Sequence, residues 1–173
     1  MMVAMRGRKT DEVSELSVGI GQMRIARAPD RLVTIGLGSC VAIVLYDAVA
    51  QLGGLAHVVL PREAEAHDYL ILTKFADAVI DLMMEGMRQQ GADTRRLQAK
   101  IFGGGNMFPT LIAVGSPMDI GRRNVEAVRE ELERLGIRVV GEAVGGQSGR
   151  TVVFDTSDGS VLVKTIGQPV RMY

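Results

Sequence analysis

The chain has 173 residues, enough for one domain with a real core and no disulfide or metal to staple it. Twenty Lys and Arg offset 20 Asp and Glu, so no basic excess favours nucleic acid, and a single cysteine excludes an internal disulfide. No run approaches the ~18 apolar residues of a membrane span, and the basic residues Arg6, Arg8 and Lys9 precede no signal-like apolar stretch, which suits a soluble intracellular protein. With no Trp and only 4% aromatic residues, the core must be aliphatic.

Residues 1–14 read as a polar arm. The stretch 16–25 alternates loosely with period two, as a strand does, with Gly19 and Gly21 marking a bulge or close approach. Pro29 and Asp30 break it, and 31–35 forms the next strand. Gly36 and Gly38 end that strand and turn the chain into Cys40. The runs 41–46 and 54–60 read as an antiparallel hairpin stopped by Pro61, and 62–68 as a polar loop holding His67. A helix is expected over about 69–90, with Asp68 as cap and an apolar face of Ala76, Val79, Leu82, Met83 and Met87. A short strand over 97–102 leads to Gly103-Gly104-Gly105-Asn106.

The second helix begins near Ser116 or Asp119 and ends at Gly136, with Ile120, Val125, Val128, Leu132 and Leu135 on its apolar face and Glu130 and Arg134 paired on the other. Strands follow over 137–144, 151–155 and 161–166. About eight strands and two helices that do not alternate strictly exclude a doubly wound parallel sheet. The expected class is α+β: largely antiparallel sheets flanked by helices, one domain over 15–167 and a tail over 168–173.

Most site patterns fail. Gly19-x-Gly21 and Gly36-x-Gly38 lack the third glycine of a dinucleotide fingerprint, and Gly103–Gly105 is followed by no Lys-Ser/Thr. Gly146-Gln147-Ser148-Gly149 lacks the nucleophile-elbow spacing, and two histidines with one cysteine make no structural zinc site. Cys40 remains. Alone, it is as well explained as a small buried apolar residue, and His57 as a core histidine. Three features favour chemistry. Cys40 closes a Gly-x-Gly-Ser turn whose N–H groups, with Gly38 and Ser39 as candidates, can face a substrate oxygen. If Tyr46 lies opposite Gly53, Cys40 lies opposite Val59, and His57 becomes its diagonal neighbour on one face. A one-residue slip would separate the two. Thr34, on the preceding segment, supplies a hydroxyl that can orient the imidazole.

These residues carry a resemblance. Thr34-x-Gly36-Leu37-Gly38-Ser39-Cys40-Val41-Ala42, then Tyr46-Asp47, then Gly53-Gly54-x-x-His57-x-x-Leu60-Pro61, resembles the chemoreceptor glutamine deamidases of the CheD family. The likeness continues in 99–107, 120–125 and 145–150, so it covers most of residues 17–166 in order. It implies an α/β sandwich related to bacterial toxin deamidases, with a Thr–Cys–His constellation that falls on Thr34, Cys40 and His57. It further implies hydrolysis of receptor glutamine side chains to glutamate through a Cys40 thiolate and a thioester, without cofactor or metal. The substrate would be the cytoplasmic helices of a chemotaxis receptor, with a CheC-type phosphatase as a further partner and the protein cytoplasmic at the receptor array. The rivals are a non-catalytic adaptor of the same fold and another cysteine hydrolase. His67 is the alternative base should the hairpin register differ.

Overall fold

The computed structural model describes residues 12–62 and 71–173. His67, the expected cap Asp68 and most of the arm lie outside them. Ten strands form two five-stranded sheets. The first runs β1 (Glu15–Ser17), β3 (Arg31–Leu37), β8 (Arg150–Asp155), β9 (Val161–Thr165), β10 (Arg171–Met172). The second runs β2 (Met23–Arg27), β5 (Leu52–Val58), β4 (Val41–Asp47), β6 (Gln98–Gly103), β7 (Arg138–Val144). The β1–β3 and β6–β7 pairs are parallel and all others antiparallel.

All seven residues of β4 are buried, because this strand has a core on each face. Val41, Ile43 and Leu45 face the helices α1 (Ala76–Gln89) and α2 (Ile120–Arg134), packing with Ile80, Met83, Val128 and Leu132. Ala42, Val44 and Tyr46 face the first sheet, packing with Leu32, Val152, Phe154 and Val163. The order of layers is therefore sheet, sheet, helices. Each large aliphatic side chain fully buried here contributes roughly 1.5–3 kcal/mol.

The α+β class matches expectation, with differences of physical origin. Both helices cover one face of the second sheet instead of flanking the sandwich. The stretch 16–25 divides into β1 and β2 on different sheets, because Gln22 N–H donates to Gly19 O (3.0 Å) and reverses the chain. The buried stripe of α1 includes Ile80, while Leu82 is exposed. Arg134 pairs with Glu131 and Asp81, and Glu130 with Arg62. The expected tail carries β10, which pairs with β9.

At the β4–β5 turn, the buried Asp47 carboxylate accepts from Val49, Ala50 and Asp93 N–H. It also receives a bidentate pair from Arg96 (3.0 and 2.7 Å). That guanidinium holds its pKa down to about 2. This turn sets the register with Tyr46 opposite Gly53 and Ala42 opposite His57.

Candidate active site

Between Thr34 and Leu37, β3 gains one residue against β8. Thr34 and Leu37 are both buried, whereas Ile35 and Gly36 between them are exposed. Gly36 takes a φ of 75°, a conformation that glycine adopts without steric cost. Beyond the bulge Leu37 still pairs with Arg150 of β8, and the chain then passes through Gly38-Ser39-Cys40 into β4.

Cys40 directly precedes β4, is partly exposed, and packs against the cluster between the two sheets. His57 lies opposite Ala42, whose side chain joins that same cluster, so Cys40 and His57 share the inter-sheet layer. Thr34 enters it from β3 and meets His57 Nδ1 at 2.8 Å. The expected hairpin register is therefore present, and Thr34 is in contact with His57.

The hydrogen bonds fix the imidazole tautomer. Thr34 Oγ1 donates to Val18 O at 2.7 Å, and a carbonyl only accepts. The single hydroxyl proton is thus committed, and Thr34 accepts from His57 Nδ1–H. Nε2 is left as the basic nitrogen. It is buried and has no hydrogen-bond partner among the described residues, Cys40 included. Burial lowers the His57 pKa below 6.5 and raises the Cys40 thiol above 9.0. Both shifts have the same physical cause, desolvation of the charged form in the inter-sheet layer.

Three consecutive carbonyls hold the turn. Gly38 O accepts from Gly105 N–H (2.8 Å), Ser39 O from Asn124 Nδ2 (3.0 Å) and Cys40 O from Gly104 N–H (2.8 Å). The glycine run after β6 makes this approach possible. Gly103 has a φ of 104°, and a Cβ there would stand 2.3 Å from Cys40 O. The Gly38 amide is engaged by Gly36 O at 3.1 Å. The Ser39 and Cys40 amides find no backbone acceptor among the described residues.

A cavity of about 190 Å³ opens beside Ser39, lined by Asn106, Met107, Phe108, Met118 and Gly121 among others. A larger one of about 320 Å³, between the 145–147 turn and α2, includes neither Cys40 nor His57. Phe108, Leu111, Val114 and Met118 stand exposed along this side. Among the described residues no group of three His, Cys, Asp or Glu is placed to hold a metal.

Two residues of this neighbourhood stand within the stretches that carry the resemblance, but the sequence reading gave them no role. Asn124 is fully buried on α2, in helical register with Ile120 and Val128, and a polar residue on an apolar stripe is a legible signal. Arg150 is buried beside the turn and donates to Gly145 O (2.7 Å) and Gly103 O (3.5 Å). Its place at the end of the 145–150 stretch was visible, but its buried contacts were not.

Comparison with known proteins gives the family. Residues 59–165 match the family model described as CheD, chemotactic sensory transduction. A Clostridium tetani protein described as "Probable chemoreceptor glutamine deamidase CheD" is 46% identical over 158 residues, 91% of this chain and 95% of its own. Proteins of the same description from Desulforamulus reducens and Clostridium kluyveri are each 43% identical, over 92% of this chain and 95% and 98% of theirs. This chain belongs to the CheD family. The solved structure of the hypothetical protein YfiH from Bacillus licheniformis aligns over 72% of this chain and 51% of its own. At 14% identity and a TM-score of 0.43, that likeness is too slight to carry any argument.

Proposed function

We propose that this chain is a chemoreceptor glutamine deamidase that acts in the cytoplasm, with Cys40 as nucleophile, His57 as base and acid, and Thr34 as the group that orients His57. The fold is read as a toxin-deamidase-like cysteine hydrolase sandwich. The observation that carries the proposal is the chain of hydrogen bonds from Val18 O through Thr34 Oγ1 to His57 Nδ1, which leaves Nε2 unprotonated on the face Cys40 shares.

The steps follow from that geometry. Cys40 Sγ attacks the carbon of a glutamine side-chain amide as its proton passes to His57 Nε2. The carbonyl π electrons move to oxygen, which the Ser39 and Cys40 amides receive. A well-placed donor of this kind commonly contributes about 3 kcal/mol to the transition state. His57 Nε2–H protonates the departing nitrogen, ammonia leaves, and a thioester joins substrate to Cys40. Water gives a proton to Nε2 and attacks the thioester, releasing glutamate and restoring the thiol.

The exposed apolar side chains Phe108, Leu111, Val114 and Met118 give the site a rim suited to the apolar face of a receptor helix. A CheC-type phosphatase is a further partner implied by the family resemblance, and co-elution of the two purified proteins tests it.

The test of the activity is mass spectrometry of a receptor cytoplasmic fragment after incubation. Wild type converts specific glutamines to glutamate, and Cys40→Ala does not. Binding without conversion by wild type would make the protein an adaptor instead. Conversion by Cys40→Ala would remove Cys40 from the chemistry.

A further inference from the structure

Asn124 is fully buried, and both hydrogens of its side-chain amide are used. One goes to Ser39 O and the other to Val59 O, each at 3.0 Å. Two carbonyls can only be met by the NH₂ group, so the orientation of the amide is set by chemistry. Val59 directly follows β5, the strand that carries His57, and Ser39 directly precedes Cys40. One side chain thus ties the nucleophile's turn to the strand bearing the base.

The bond to Ser39 O has a consequence one atom further on. The Ser39–Cys40 peptide is planar and trans, so fixing its carbonyl on one side fixes the Cys40 N–H on the other. That N–H has no backbone acceptor among the described residues. The neighbouring carbonyls, Gly38 O and Cys40 O, are held by backbone amides of Gly105 and Gly104. Of the three peptides in the turn, only the central one depends on a side chain. Donation to its carbonyl also polarises the peptide and strengthens its N–H as a donor.

We infer that Asn124 is a positioning residue that aims the Cys40 amide at the oxyanion formed on the substrate carbonyl. This rests on the deamidase reading and adds to it the element that orients the oxyanion site from 85 residues away in the chain. Removing Asn124 should leave the thiol and the imidazole in place and impair only steps in which negative charge develops on oxygen.

The test compares wild type with Asn124→Ala and Asn124→Ser in three assays. In receptor deamidation, kcat of Asn124→Ala falls roughly 10- to 100-fold while KM changes less than about 3-fold. The second probe is a peptide bearing an aldehyde in place of the glutamine carboxamide. Cys40 Sγ adds to its carbon, the thiol proton passes to His57 Nε2, and the C=O π electrons move to the oxygen, giving a thiohemiacetal anion. Its affinity falls by about the same factor as kcat. The third probe is iodoacetamide, which alkylates Sγ with loss of iodide and forms no oxyanion. Its rate stays within about 2-fold of wild type.

Asn124→Ser, with a shorter donor in the same space, falls between the two, and decides the matter if the alanine variant does not fold. Parallel losses in alkylation and deamidation would overturn the inference, since they would show a general loss of the turn. So would an unchanged kcat. A failure of the deamidase reading looks different. Wild type would then convert no receptor glutamine, and aldehyde capture would still report whether Asn124 acts on the Cys40 amide.

Discussion

His57 sits where a structural histidine would also sit, between two sheets and out of solvent, and its chemistry turns on which nitrogen carries the proton. Thr34 decides this, because its own proton is spent on Val18 O. Thr34→Val, which keeps the shape and removes the acceptor, is expected to lower kcat roughly 10- to 100-fold, part of what positioned acid–base catalysis supplies. Thr34→Ser should retain most of the activity. Steady-state deamidation of a receptor fragment reads both. Burial also sets the pH behaviour. Burial lowers the His57 pKa from its ordinary value, so activity is expected to fall with acidification through a midpoint lower than that of a free imidazole. The Cys40 thiol lies above 9.0, so its alkylation by iodoacetamide should rise with pH through a midpoint beyond that value. A rate flat between neutral and mildly acid pH would instead indicate a resting ion pair.

Each element contributes one constraint. The β3 bulge precedes the Cys40 turn, the glycine run at the end of β6 brings backbone donors to it, and α2 delivers Asn124. The β4–β5 hairpin fixes the register of Cys40 and His57, and Asp47 fixes the hairpin. Asp47 has its folded pKa depressed from 3.8 to about 2, so its carboxylate contributes stability that is full above the unfolded value and lost as pH falls through the folded one. The shift corresponds to about 2 kcal/mol. Urea melts as a function of pH should show this loss between roughly pH 4 and 2 in wild type and a flatter slope in Asp47→Asn. Asp47→Ala should cost roughly 2–3 kcal/mol, because three amides and Arg96 lose their acceptor.

The same elements show what the sequence can disclose. The Cys40–His57 face was legible because strand parity is local arithmetic once the turn between Asp47 and Gly53 is read. Thr34 was assigned through family resemblance as well as position. Asn124 was hidden because its partners Ser39 and Val59 lie 85 and 65 residues away, although its place on an apolar stripe was a usable sign. The division of residues 16–25 between two sheets was equally out of reach, since strand runs alone do not say which sheet each joins.

At the scale of the molecule, the three layers bury Thr34 and His57 between the sheets and leave Cys40 partly exposed at the edge of the same layer. The helices stiffen the second sheet from behind, and the exposed apolar side chains near Asn106 leave one side open to a long helical substrate. No helix among the described residues is long and apolar enough to cross a membrane. On the proposed mechanism, a glutamine carbonyl becomes covalently attached to Cys40 during turnover. Hydroxylamine tests this most directly, because it attacks a thioester carbon and releases the thiol. A receptor fragment incubated with wild type and hydroxylamine should carry glutamyl hydroxamate at the glutamines otherwise converted to glutamate, and Cys40→Ala should produce neither product. Glutamate without hydroxamate, or conversion undiminished in Cys40→Ala, would contradict the account.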